Sequence, residues 1–266
     1  MKYDLGRMAQ QRGLKRRETV FAPILMTTAL ANELAAINRR IIAPWLDSRS
    51  TVAEIYAREL DRRLQQDSID DLTNLFAQLG AEVDRLILDL TPEMTSWAFR
   101  VESWHRGKWQ STLLAGTDVD VSLLIGPTDA LETIEEFLAR NTALIRNVSD
   151  DTRAKIADMV YRGLQQRVPS NQVGRQIAHQ LGLSRRRANR IAADQATKLS
   201  AALDRQRQRE AGLFDWKWRH SGKLHYRPDH KARDGNIYND DTAPEDEPGE
   251  LPFCGCVRQG VLILPD

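Results

Sequence analysis

The sequence predicts an α+β protein that is predominantly α-helical, with a helical N-terminal region, a helical middle region and a small C-terminal antiparallel β module. Two patterns carry that prediction. Through most of the chain apolar residues recur three and four apart, the period of an amphipathic helix. Beyond Gly212 the texture changes to short alternating strings such as Phe214-Asp215-Trp216-Lys217-Trp218-Arg219, the period of a half-buried strand. A third observation concerns chemistry. Three of the five histidines (His220, His225 and His230) and both cysteines (Cys254 and Cys256) fall between Trp216 and Cys256.

Taken in order, Ile24, Leu30, Leu34, Ile37 and Ile41 form the first helical stripe, which Pro44 interrupts. Asp47-Ser48 or Ser50-Thr51 offers an N-cap for a second stripe of Val52, Ile55, Leu60 and Leu64. A third runs through Leu72, Leu75, Leu79, Val83, Leu86 and Leu90, and Thr91-Pro92-Glu93 predicts a restart with proline at an early helical position. Between Trp97 and Pro127 three tryptophans (Trp97, Trp104, Trp109), a turn at His105-Arg106-Gly107 and the alternation Asp118-Val119-Asp120-Val121 suggest a connector containing a short strand or an extended linker. The expected domains are therefore a helical region over 1–96, a Trp-rich connector over 97–127 and a C-terminal domain over 128–266. The tryptophans are expected to pack a core, since nothing polar converges on them.

Helical periodicity returns with Leu131, Ile134, Phe137 and Leu138 and continues through Ile156, Val160 and Leu164, with a break expected at Asn147 to Asp151 and another at Val168-Pro169-Ser170. A short helix over 172–181, a turn at Gly182 and a long helix over about 184–211 follow, ended by Gly212. Strands are expected at 214–219, 236–238 and 257–264, the last bounded by Pro265.

Composition narrows the function classes. The 266 residues are 41% hydrophobic, enough for a real core. Lys plus Arg number 38 against 37 acids, a formal charge of +1, so no global field draws the molecule to nucleic acid or membrane. No apolar run approaches the roughly 20 residues that span a bilayer, and the N-terminus lacks a secretory apolar segment, which predicts a cytoplasmic site of synthesis and no membrane partner. Cys254 and Cys256 are too close for an unstrained disulfide, so free thiols or thiolate ligands are expected.

Three local signals point to function. First, residues 172–193 have the spacing of a helix-turn-helix, with Arg185, Arg186, Arg187 and Asn189 opening the second helix, although a plain helical hairpin gives the same pattern more often. Second, residues 185–209 carry eight bases (Arg185, Arg186, Arg187, Arg190, Lys198, Arg205, Arg207, Arg209) against two acids, and residues 240–250 carry six acids and no base. The stripe either touches phosphates or an acidic partner, or pairs with that loop. Third, His225, His230, Cys254 and Cys256 form a candidate tetrahedral zinc set, making zinc the one candidate cofactor, although C-x-C is tighter than common structural zinc spacings. A hydrolytic pair of His230 and Asp234 is the alternative, and a hydrogen-bonded turn at Arg233-Asp234-Gly235 beside two small buried thiols is the plainest reading. Structural roles are expected ahead of catalysis.

The order of the motifs says more than any one of them. Ile191-Ala192-Ala193 leading to Ala211-Gly212, the tryptophan strand, R-P-D-H-K-A-R-D-G over 227–235 and P-F-C-G-C over 252–256 together resemble the C-terminal domain of the phage Mu F-like minor head proteins, over roughly residues 130–260. On that resemblance Arg227, His230, Asp234, Gly235, Cys254 and Cys256 are the family-motif positions. The chain differs at Lys223 and His225, where relatives carry an acidic residue and an arginine. The resemblance implies a non-enzymatic structural component of a tailed double-stranded DNA phage or prophage, acting in head morphogenesis and located at the head, portal or neck of the virion. The implied partners are portal, capsid and scaffold proteins, and packaged double-stranded DNA. The same domain also occurs joined to toxin modules, and no nuclease-like domain is expected after Cys256 here.

Overall fold

A computed structural model describes residues 1–62 and 70–264, and Leu64 and Pro265 of the expected patterns lie outside that range. The fold is α+β and 68% helical, with a small four-stranded antiparallel sheet. Helix α1 (Leu5–Gln11) is capped by Asp4, whose carboxylate accepts the Arg7 N–H at 2.9 Å. Strand β1 (Glu18–Val20) follows, then α2 (Thr28–Ile41), α3 (Ala43–Asp47) with Pro44 in its first turn, and α4 (Arg49–Arg62). Three long helices come next: α5 (Asp70–Thr117), α6 (Leu131–Gln165) and α7 (Ser170–Glu210). The chain then forms β2 (Asp215–Arg219), the short α8 (Pro228–Ala232), β3 (Ile237–Asn239) and β4 (Val257–Ile263). No helix among the described residues is long and apolar enough to cross a membrane.

The long helices override three expected breaks. Pro92 lies inside α5. It leaves the Leu88 carbonyl without its helical N–H, but the Leu88 side chain is exposed, so that face of the helix is open to water. The expected turn at residues 105–107 is likewise helical, because Trp97, Val101, His105, Trp109 and Leu113 form one buried stripe. Residues 147–151 continue α6, with Val148, Ser149 and Thr152 buried. The Asp118–Val121 alternation forms no strand: Asp118 is a bend (φ +56°) and residues 119–121 run as an irregular linker, with Val119 and Val121 both buried.

Gly182 is the most consequential of these differences. It sits within α7, and the space where a side chain would stand is empty. A helical glycine costs about 1 kcal/mol relative to alanine. That is less than the burial of Val173, Ile177, Leu181, Ala188 and Ile191, which continues in one register across it. The expected turn is absent, and with it the two-helix geometry on which a helix-turn-helix reader depends.

The chain divides into two compact units, both discontinuous in sequence. One comprises 32–95 and 138–193, the other 1–31, 96–137 and 194–266. The first is all-helical. Its interior includes Leu34, Ile37, Ile41, Trp45 and Tyr56, with Trp45 Nε1 donating to Ser149 Oγ at 2.8 Å and Tyr56 Oη to the Val168 carbonyl at 2.6 Å. Asn38 and Asn141 form a buried pair at 3.3 and 3.1 Å, which satisfies both amides.

The second unit holds the sheet, in the order β1-β4-β2-β3. Strands β2, β3 and β4 are those the alternation predicts. β1 is not: it comes from the segment expected to be helical, and Thr19 pairs with Leu262 at the sheet edge. Beside it Tyr3, Leu5, Phe21, Trp109, Leu113, Leu213 and Leu262 share one core. Helix α7 ends as predicted at Gly212 (φ +72°), where the Leu213 N–H returns to the Gln208 carbonyl at 2.8 Å.

Candidate functional site

The site is built on the far half of the sheet. β2 places Trp216 and Trp218 on one face, both buried, and they pack with Cys254 and Cys256 in a second small core. Arg227 is the N-cap residue of α8 and donates to the Pro252 carbonyl at 3.2 Å, joining this helix to the cysteine loop. One turn later His230 is buried against the edge of Trp218, ring centroids 5.0 Å apart. Gly235 (φ +85°) reverses the chain, and its N–H meets the Trp218 carbonyl at 2.8 Å. Asp234 accepts the His220 backbone N–H at 2.8 Å. Its role is to hold that turn, and the His230–Asp234 hydrolytic pair does not form.

The partner of His230 is Asp246. His230 Nε2 stands 2.9 Å from Asp246 Oδ2, and Arg233 Nη1 donates to Oδ1 at 2.6 Å while its guanidinium lies over Trp218. Burial opposes ionisation of Asp246, but the hydrogen bonds from Arg233 and His230 outweigh it and hold its carboxyl below the ordinary range. The other ring nitrogen, Nδ1, faces both sulfurs, 3.5 Å from Cys254 Sγ and 3.7 Å from Cys256 Sγ. Cys254 is lowered to about 5, first by the hydrogen bond from the Cys256 thiol and then, against burial, by the backbone N–H groups of Gly249 and Cys256. Cys256, the donor in that bond, is pushed up.

Sequence reasoning missed Asp246 and gave Arg233 only a place in a turn. Asp246 is hidden by its neighbours, being one of six acids in a run whose members look alike. The R-x-x-H spacing is the visible trace of α8, but nothing local says which acid folds back onto it. His225 is exposed and stands outside the group formed by His230, Cys254 and Cys256. It lines, with His220, Lys223 and Tyr226, a cavity of about 20 Å³ that opens beside those three residues. Lys223 donates to the Phe253 carbonyl at 3.0 Å. A cleft of about 540 Å³ lined by Arg162, Arg175 and His179 exists in the all-helical unit, but no candidate metal-ligand group is found there among the described residues.

Three of the eight bases of the stripe, Lys198, Arg205 and Arg209, are internal partners of the acidic loop. Arg205 bridges Glu247 at 3.0 Å and Glu250 at 2.9 Å, Arg209 Nε meets Asp240 at 2.8 Å, and Lys198 donates to the Glu250 carbonyl. Arg207 is buried and pairs with Glu102 at 2.7 Å. Arg187 pairs with Asp151. Arg185, Arg186 and Arg190 are exposed.

Residues 154–259 match the profile of the family described as "Phage Mu protein F like protein". Over this segment the chain is similar to the phage Mu F-like family. The segment contains Arg227, His230, Asp234, Gly235, Asp246 and both cysteines, whereas β1 and the part of α5 from residue 96 onward, which belong to the same unit, lie outside it. A Haemophilus influenzae (strain ATCC 51907 / DSM 11121 / KW20 / Rd) protein described as an uncharacterized protein is 28% identical over 170 residues, covering 61% of this chain. The chain spans 37% of that relative's length. No solved structure matches the chain significantly. The phage Mu F-like family is a structural head protein family.

Proposed function

We propose that the protein is a minor head protein of a tailed double-stranded DNA phage or prophage, acting without catalysis in head assembly at the portal or neck. The observation that carries this reading is the Mu F-like match over 154–259. The geometry is consistent with an architectural role. His230 is almost fully buried, both its ring nitrogens face other side chains, and the adjoining cavity of about 20 Å³ is too small for a substrate of ordinary size. The all-helical unit is assigned to contacts with portal, capsid or scaffold protein, and the exposed arginines of α7 to the genome or an acidic partner.

The test is to tag the protein in its native phage or prophage background and purify portal complexes, procapsids and mature particles. Enrichment in portal-containing fractions, and defective heads when the gene is removed, is the expected result. Absence from all three fractions would sink the reading.

A further inference from the structure

We propose that His230, Cys254 and Cys256 form a zinc site through Nδ1 and two thiolates, with Asp246 and Arg233 as the residues that orient the imidazole. This goes beyond the head-protein reading and does not depend on it.

Four observations support the proposal. The three residues are buried, on an α-helix and a tight loop brought together by the fold, and their donor atoms all lie within 4.8 Å of one another. Tetrahedral zinc with Zn–S near 2.3 Å and Zn–N near 2.0–2.1 Å sets nitrogen and sulfur roughly 3.6 Å apart. The observed separations are 3.5 and 3.7 Å.

The imidazole is also set the right way round. An Nε2–H donated to the Asp246 carboxylate leaves the Nδ1 lone pair directed at the sulfurs, the carboxylate–histidine arrangement that fixes metal-ligating tautomers. Arg233 holds the second Asp246 oxygen, so the carboxylate cannot swing away without losing a charged partner.

The space and the ligand chemistry agree with this. The adjoining cavity of about 20 Å³ suits one ion-sized or water-sized occupant, and His220 and His225 also line it. His220 Nδ1 accepts the Gly222 N–H at 3.1 Å, which places the remaining proton on Nε2 and makes His220 a poor ligand. The Trp218 indole N–H, in the same small core as both cysteines, is buried with no hydrogen-bond partner among the described residues. Two sulfurs and one imidazole suit zinc and disfavour magnesium or calcium, which take oxygen ligands. His230 also belongs to a group with Asp229 and Asp246, but there Nε2 is already taken by Asp246 and Asp229 is exposed.

The experiment uses the full chain, purified with reductant from zinc-supplemented cells. Elemental analysis is expected to give about one zinc per chain, falling to background in the double variant Cys254→Ser/Cys256→Ser and in His230→Gln. Cobalt exchanged into the wild-type protein should show a thiolate-to-metal charge-transfer band. Asp246→Asn should keep that band while zinc affinity, read by chelator competition, falls about 10- to 100-fold. Should the cysteine variants not fold, the wild-type cobalt spectrum and stoichiometric zinc release to a chelating dye decide the matter. A folded wild-type protein that holds only background zinc after titration with the metal, and shows no charge-transfer band with cobalt, overturns the proposal whatever its behaviour in head assembly.

Discussion

Thr19 on β1 lies directly opposite Leu262 on β4, so the sheet that carries the cysteine loop is completed by residues near the start of the chain. Lys2 and Tyr3 reinforce this, their backbone N–H groups meeting the Glu210 carbonyl at 2.7 and 2.9 Å at the end of α7. The N-terminal segment is therefore structural to the module.

Removing residues 1–26 should strip β4 of its edge partner and open the core formed by Tyr3, Leu5, Phe21 and Leu262. The shortened chain is expected to lose its cooperative thermal transition or to aggregate, as read by circular dichroism and gel filtration. A fragment restricted to the family-matched segment 154–259 should behave the same way. A sharp, reversible melt from either would show that the sheet is self-sufficient.

Glu102 accepts from Arg207 at 2.7 Å and from Arg106 at 3.1 Å, and both Glu102 and Arg207 are buried. Replacing Glu102 by Ala leaves the Arg207 charge in the interior and should cost about 3–5 kcal/mol, whereas exchanging the pair for leucine and methionine should cost far less. Urea unfolding of the two variants tests this. Equal losses would mean that packing, not charge, dominates at this position.

Asp240 sits between Arg209 and Arg258. Burial opposes its ionisation, but hydrogen bonds from both arginines outweigh that, and its pKa lies below the ordinary carboxylate value. A folded pKa below the unfolded one gives stability that is full above the unfolded pKa and is lost as pH falls through the folded pKa. Asp204 works in the opposite sense. Burial raises it despite His105, so its contribution is full at low pH and is lost as pH rises through the raised value. Melting temperature is expected to drop in acid below the ordinary carboxylate range, and Asp240→Asn should lower it at neutral pH while flattening that drop. An acid limb identical to wild type would remove Asp240 from the account.

Binding to short DNA duplexes should be weak and blind to sequence, since α7 runs straight through Gly182. Because Arg185 and Arg186 are exposed while Arg205 and Arg207 are paired with acids, replacing Arg185 and Arg186 by alanine should reduce the salt slope by about 1 each. Replacing Arg205 should instead loosen the acidic loop and lower thermal stability. Fluorescence anisotropy at several salt concentrations, together with melting curves, distinguishes the two; a marked preference for one duplex sequence would contradict the straight-helix argument.

Much of this was legible in the residues. The three-and-four spacing gave the helical class, the Trp216/Trp218 alternation gave β2, and Gly212 marked the end of α7. The R-x-x-H, D-G and C-x-C elements marked the region that becomes the site. What local signals got wrong were the interruptions. Pro92, Gly182 and residues 147–151 look like breaks, yet each costs only a few kcal/mol at most, less than a stripe of buried side chains returns along a helix already in register.

The sequence by itself determined the fold class, the helical faces and which residue types gather near the C-terminus, because periodicity and turn chemistry act over a few residues. Only the tertiary structure decided the rest. It added β1 to the sheet, sent Asp246 back to His230, turned Nδ1 toward Cys254 and Cys256, and used Lys198, Arg205 and Arg209 of the basic stripe to hold the acidic loop. Those pairings join residues far apart in the chain, chosen by burial and charge neutralisation, and no local pattern records which of several similar partners will be met.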